Sequence, residues 1–379
     1  MTQTTTATYR WKTLGSLNQN QALAQEIAVG QSVGAIDLKY TTPAEVEFYL
    51  AKVTDLSLKD EICEAKIQFP WSLWHGKIDW LFTLLFGKLS FYYHIQLVDL
   101  EFSDGDFLPA DGSEMTAQRP ELSGPKWKYS QLAALAGAHP EKPMLMGILK
   151  PNVALKDQAL ADLIEMTFDS GCHLVKDDEI RHDLDFNLTL RRLEKVVRRL
   201  ENSKCSGIYV PHVPYQPNWL QKLKAVEELG IQAVLINVMS CGWAALQEAR
   251  NHSKLILVAH PALMGGFHGG GNWRVAPNVL MGSLVRAAGA DLSLFPSPYG
   301  KIGLSPQEAQ DVVMACRSPK PHCLSTTPVP SAGIKPEHGP LALRDFGSKG
   351  FILNAGTAIF AQDSSVAHQI SLFRKALDL

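Results

Sequence analysis

From residue 143 onward the sequence predicts a (β/α)8 barrel, preceded by a smaller α+β domain, so the fold class is α/β. Two observations carry this. Eight short apolar runs alternate with stretches of helical periodicity, which suits the count and length of a barrel of roughly 250 residues. Polar or charged residues stand where nearly every run ends, and barrels gather their chemistry at that end of their strands. A doubly wound open sheet is the alternative that the pattern alone allows.

The chain ahead of the barrel lacks this rhythm. Helical segments are expected near 19–29 and 43–53, and strand-like runs near 64–69 and 92–102. The stretch from Leu108 to Lys128 is rich in Pro, Gly and Ser and reads as the connection. Domains are therefore expected at 1–135 and 136–379. The barrel runs are Met144–Ile148, His173–Val175, Gly207–Val210, Ala233–Val238, Leu255–Ala259, Asp291–Phe295, Cys323–Thr327 and Phe351–Asn354. After the first, Leu160, Leu163, Ile164 and Phe168 recur at the spacing of one helix face. After the second, Leu190, Leu193, Val197 and Leu200 do the same. Glu194 there precedes Arg198 by one helical turn, a favourable surface pair.

Composition excludes several classes. A net charge of −2 over 379 residues gives no electrostatic case for nucleic acid or an anionic membrane surface. The start, MTQTTTATYRWK, has no apolar core of signal-peptide length, and no apolar run is long enough to span a bilayer. A cytoplasmic location is expected. The six cysteines show no CxxC spacing, so reduced thiols are expected rather than disulfides or a zinc site.

The most informative strand end is Gly171-Cys-His-Leu-Val-Lys-Asp-Asp-Glu179. Side chains alternate along a strand, so Lys176 and Asp178 point the same way, with Glu179 just beyond. A lysine and two carboxylates at one tip are costly unless something binds there. If CO2 converts the Lys176 amine to a carbamate, three anionic oxygen ligands converge and suit Mg2+. The plain alternative is a solvated charged turn. Lys150 ends the first run, His212 the third, Asn237 the fourth and His260 the fifth. The sixth leads into Phe295-Pro-Ser-Pro-Tyr-Gly-Lys301, the seventh into Pro330-Ser-Ala-Gly333 and the eighth into Asn354-Ala-Gly356. Barrels commonly bind phosphate through backbone N–H groups at the last two loops, which puts forward Ser331, Gly333, Asn354 and Gly356. Ordinary tight turns would look the same. His212 could be a loop histidine, His260 a core histidine, and Lys301 either a lid lysine or a surface charge.

Taken in order, Leu149-Lys150-Pro151, Val175 to Glu179, Ala259-His-Pro261, the Gly300-Lys301 loop, Ser331-Ala-Gly333 and Asn354-Ala-Gly356 resemble the large subunit of RuBisCO. More closely, they resemble the RuBisCO-like (type IV) proteins. Phe86-Gly-Lys-Leu-Ser90, Ala290 to Gly300, and Val329 to Ile334 followed by Leu343-Arg-Asp-Phe-Gly347 look like the methionine-salvage branch. That branch enolises 2,3-diketo-5-methylthiopentyl 1-phosphate. The resemblance spans essentially the whole chain. It implies a ferredoxin-like N-terminal domain and a homodimer with active sites at the subunit interface. It also implies one Mg2+ per subunit on carbamylated Lys176 with Asp178 and Glu179, and a phosphorylated small-molecule substrate. His260 and Lys301 would join the two loops as substrate ligands.

Several positions depart from these relatives. Pro261 stands where the carboxylase has a phosphate-binding arginine, and Leu294 falls near a carboxylase histidine, which argues against CO2 fixation. Fewer glycines follow Asn354 than in the enolase branch. The proposed proton-abstracting lysine of that branch falls where this chain has Tyr92, Tyr93 and His94. The general base is thus open among Lys150, His94 and Lys88, the last from the partner subunit. The rival functions are a RuBisCO-like isomerase of 5-methylthioribulose 1-phosphate and a non-catalytic sugar-phosphate-binding protein.

Overall fold

The computed structural model describes residues 4–36, 39–103, 107, 122–183, 185–203, 206–269, 272–300, 302–360 and 364–379. Most of the expected connection from Leu108 to Lys128 lies outside these. The first sheet pairs β1 (Thr4–Lys12), β2 (Lys52–Lys59), β3 (Ile62–Pro70) and β4 (Gln96–Phe102) antiparallel in the order β2-β3-β1-β4. Helices Leu17–Ser32 and Ile78–Phe86 complete a ferredoxin-like unit.

Two of these strands escape the sequence reading. Thr4–Lys12 is central in the sheet, with Ala7, Tyr9 and Trp11 buried while Arg10 and Lys12 are exposed. The Trp11 indole donates to Asn20 Oδ1 at 2.9 Å and so ties the strand to the first helix. The second helix starts where expected, at Pro43 behind a Thr42/Glu45 capping box, but stops at Tyr49. Of the rest of the expected helix, Leu50 and Ala51 link the two elements, and Lys52 and Val53 open β2. The half-buried Val53 and Leu56 are three apart, which mimics helical spacing. A register shift between Val53 and Asp55 is the cause, because a bulge adds one residue to the strand period.

The barrel strands are β5 (Met144–Ile148), β6 (Leu174–Lys176), β7 (Ile208–Val210), β8 (Ala233–Asn237) and β9 (Ile256–His260). After a two-residue hairpin, β10 (His268–Gly269) with β11 (Asn272–Trp273), come β12 (Leu292–Pro296), β13 (Thr327–Ser331) and β14 (Ile352–Ala355). They pair in parallel as β14-β5-β6-β7 and β8-β9-β12-β13. A bridge between His212 and Leu235 links β7 to β8. Alternate residues such as Met146, Leu174, Leu235, Val258 and Val329 fill the interior, and Leu132 and Ala133 of the helix Tyr129–Leu135 pack against them. The other residues of each strand pack outward in the main core.

The seventh barrel strand lies later than expected, at Thr327–Ser331 rather than Cys323–Thr327. Its sequence, TPVPS, reads as a strand breaker because proline cannot donate to a ladder. The structure shows why the prolines are harmless. The Thr327 N–H donates to Asp291 at 2.7 Å, so Thr327, Val329 and Ser331 aim their N–H groups at β12. Pro328 and Pro330 fall on the other side, toward β14, where no ladder forms among the described residues.

The segment between β9 and β12 holds the two units together. Leu97 of β4 donates its N–H to Arg274 O at 2.8 Å and accepts one from Ala276 at 2.9 Å. This barrel loop therefore covers the free edge of the first sheet. No helix among the described residues is long and apolar enough to cross a membrane.

Burial of His173, at the foot of β6, gives a pH prediction. Its Nδ1 accepts the Leu145 N–H at 3.0 Å, and burial, aided by Arg374, pushes its pKa down to about 4. Unfolded histidine titrates near 6.5. Between those values the unfolded chain binds more protons, so stability falls as pH drops from about 6.5 to 4 and then levels off. The loss is on the order of 3 kcal/mol. Chemical denaturation of His173→Asn, which keeps an acceptor but does not titrate, should lack this increment.

Candidate active site at the C-terminal ends of the barrel strands

Strand alternation places Lys176 in the barrel interior, above Leu174, and turns Asp177 the other way into the layer under the helices. Lys176 is fully buried, and its Nζ donates to the Asp177 carbonyl at 2.8 Å and lies 3.9 Å from Glu179 Oε2. The Lys150 ammonium, from the segment after β5, sits against the Asp178 carboxylate. His260 Nε2 approaches Glu179 Oε2 at 3.4 Å. Its Nδ1 accepts the Ala262 N–H at 3.2 Å, so the ring proton is on Nε2 and faces the carboxylate. Asn237 donates to the Glu179 carbonyl at 3.4 Å and to His212 Nε2 at 3.2 Å. His212 therefore carries its proton on Nδ1, which donates to Arg181 O at 2.8 Å.

Burial lowers the Lys176 pKa to about 8, against the pull of Glu179, Asp178 and Asp177. The neutral amine, the form that reacts with CO2, is therefore more accessible than in an ordinary lysine, though still the minor form at pH 7. Burial resists ionisation of Asp178, but hydrogen bonds to Lys150 and Glu179 outweigh it and hold the carboxyl below the usual range. Burial, with Lys176 and His212 nearby, drives His260 well below the ordinary histidine value and keeps it neutral. Among the described residues no three His, Cys, Asp or Glu side chains gather as metal ligands. Asp178 and Glu179 gather with an amine instead. That donor set fits a hard cation once Lys176 supplies oxygen, as a carbamate does.

Across the mouth, the loops after β13 and β14 meet. Asn354 donates to Ser331 Oγ at 3.1 Å, and its own buried Oδ1 has no partner. Ala332 and Gly333 both take positive φ, 65° and 71°. A Cβ on Gly356 would lie 3.7 Å from Lys150 Cε, which puts the eighth-strand loop beside that lysine. A Cβ on Gly300 would lie 2.2 Å from Ala332 O, so the sixth-strand loop packs on the seventh. Lys301 itself lies outside the described residues.

A family model described as the ribulose bisphosphate carboxylase large chain, catalytic domain, matches residues 134–307. A protein named 2,3-diketo-5-methylthiopentyl-1-phosphate enolase from Geobacillus thermodenitrificans is 30% identical over 375 residues, 97% of this chain and 85% of the relative. Another of that name, from Exiguobacterium sibiricum, is 31% identical over 382 residues, 98% of this chain and 92% of the relative. This chain belongs to the RuBisCO-like proteins of the RuBisCO large-chain family. The solved structure of a rubisco-like protein (MtnW) from Alicyclobacillus acidocaldarius superposes with a TM-score of 0.82 at 26% identity, covering 99% of this chain and 93% of that one.

In this RuBisCO-like protein the structure groups Lys150, Lys176, Asp178, Glu179 and His260, and joins Ser331 to Asn354. Lys88 and His94 stand apart. Lys88 is exposed and donates to Gly30 O at 3.1 Å, while His94 is exposed and its ring lies T-shaped to that of Tyr92. Sequence reasoning overlooked Asn152, Asp177, Arg192 and Tyr209, a buried network directly behind the site. Arg192 had a signal. It falls with Thr189, Leu193 and Val196 on the buried face of its helix, where an arginine needs partners.

Gly333→Val tests whether this loop binds phosphate. A β-branched residue cannot hold φ 71° without strain, so the backbone donors should move. KM should rise about 10- to 100-fold, the worth of one or two hydrogen bonds to a charged group. The turnover number should change little, because a phosphate bound there would be held equally in ground and transition states. Steady-state kinetics checks this, with inorganic phosphate as the competing ligand.

Proposed function

We propose that this RuBisCO-like protein tautomerises 2,3-diketo-5-methylthiopentyl 1-phosphate to its enol in methionine salvage, the substrate named for its relatives. The observation that carries the proposal is the convergence of Lys150, Lys176, Asp178 and Glu179 at one barrel mouth. Residues 1–135 act as the ferredoxin-like domain and 136–379 as the barrel. The enzyme works in the cytoplasm, where its phosphorylated substrate is retained.

Lys176 as its carbamate, Asp178 and Glu179 would hold one Mg2+ per subunit. The ion supplies positive charge over the oxygen that becomes the enolate. The protein does the rest. Backbone N–H groups near Gly333 and Gly356 take the phosphate, with Ser331 and Asn354 beneath them, and Lys301 with His260 complete the binding set. Lys150 lies beside Asp178 and Gly356, between the carboxylates and the phosphate loop, and orients the substrate or carries its proton. A proton leaves the carbon beside one carbonyl and a proton arrives on the carbonyl oxygen, so the reaction is redox-neutral overall.

Lys88 and His94 would serve from a partner subunit. Val153, Ile180, Tyr215, Leu263 and Ile302 leave an apolar rim exposed around the mouth, and Trp80, Phe91 and Tyr93 are exposed on the first unit. Two copies that cover these surfaces mutually form a homodimer with sites at the interface. The deciding experiment is incubation with the diketo phosphate, following enol absorbance with and without Mg2+ and bicarbonate. Turnover of 5-methylthioribulose 1-phosphate instead would assign the isomerase, and phosphate-competed binding without any turnover would assign a binding protein.

A further inference from the structure

A single buried arginine brackets the loop that carries Asp178 and Glu179. Arg192 stands on the helix Phe186–Glu201, which follows that loop directly. Its side chain is 1% exposed. Nη1 donates to Asp177 Oδ2 at 2.9 Å and to the Tyr209 hydroxyl at 3.1 Å, while Nη2 donates to Asp183 Oδ2 at 3.2 Å. Asp177 opens the loop and Asp183 lies near its far end, so one planar group fixes both.

The first anchor reaches the site by two routes. The main-chain carbonyl of Asp177 receives Lys176 Nζ at 2.8 Å. Its carboxylate also accepts the Asn152 amide at 3.0 Å, the Tyr209 hydroxyl at 2.8 Å and the His212 N–H at 3.1 Å. Asn152 lies two residues past Lys150, so the same carboxylate ties the Lys150 segment to the loop. At the second anchor, Thr189 Oγ1 donates to Asp183 Oδ2 at 2.8 Å.

Stability alone explains this arrangement poorly, because a buried ion pair can often be exchanged for apolar residues at no loss. Geometry explains it better. A guanidinium presents donors in a rigid fork that holds two carboxylates at a set spacing, and an ammonium does not. We propose that Arg192 is a positioning residue. By clamping Asp177 and Asp183 it sets where Lys176 Nζ and the Asp178 and Glu179 carboxylates stand relative to one another. The inference rests on the reading of those three residues as the cation site.

Calorimetric titration of Mg2+ into the full chain in bicarbonate buffer tests it, with thermal unfolding measured alongside. Arg192→Lys keeps the charge and loses the fork. Asp183→Ala removes one anchor and leaves the buried pair with Asp177. The dissociation constant for Mg2+ should rise about 10- to 100-fold in Arg192→Lys, the usual effect of losing an outer partner of a metal ligand. Asp183→Ala should raise it by a smaller factor without lowering the unfolding midpoint. In both, kcat should fall while KM holds, since the phosphate loops are untouched. If Arg192→Lys does not fold, Asp183→Ala decides. Wild-type Mg2+ affinity in the folded variants overturns the bracket and leaves the cation site standing. A wild-type protein that takes up no Mg2+ overturns the cation site, and the bracket with it.

Discussion

Replacing Lys176 by methionine is expected to abolish turnover and leave the fold in place. The side chain is fully buried, so truncation to alanine would leave a cavity and blur the result. Methionine fills nearly the same space and removes a desolvated amine that burial already penalises. Stability should therefore change little. Activity should fall at least about 1000-fold, the equivalent of the several kcal/mol that a bound cation contributes to a developing enolate. Enol formation is read by absorbance, and the unfolding midpoint is read in the same buffer. Retained turnover with a normal midpoint would defeat the carbamate. Wild-type activity should also rise with added bicarbonate and Mg2+ together, because the two bindings are linked.

Lys150→Met should be the second largest loss, about 100- to 10,000-fold in kcat, the range for general acid–base catalysis. Lys150 contacts Asp178 and neighbours Gly356, whereas Lys88 and His94 reach no barrel residue among the described hydrogen bonds. KM should stay close to wild type. Exchange of solvent deuterium into substrate separates the candidates. Exchange that survives in Lys150→Met and disappears in His94→Asn would move the base to the first unit. Loss in Lys150→Met alone keeps it in the barrel.

Much of the barrel and its mouth was legible from the chain. The run from Gly171 to Glu179 stands out because charge follows a short buried strand abruptly, although that strand ends at Lys176 and it is the turn beyond it that brings Glu179 toward Lys176 and Asp178 toward Lys150. What escaped obeyed a different rule in each case. Thr4–Lys12 is a threonine-rich strand with little apolar contrast, and β2 hides behind a bulge that imitates helical spacing. TPVPS became readable as a strand only once its neighbours showed which side needs donors. Arg192 sat among Arg191, Arg198 and Arg199, and only the helix phase distinguishes it from them.

The two prolines of β13 have a wider consequence. The wall of the barrel is a hoop left unlaced between β13 and β14, with Ser331 and Asn354 as its clasp. An anion held by the loops above that gap, as proposed, would become part of the fastening. The free energy that retained it would also keep the hoop closed, and an occupied protein would then be mechanically a different vessel from an empty one. Selection on these loops for anion affinity would at the same time be selection on the integrity of the wall.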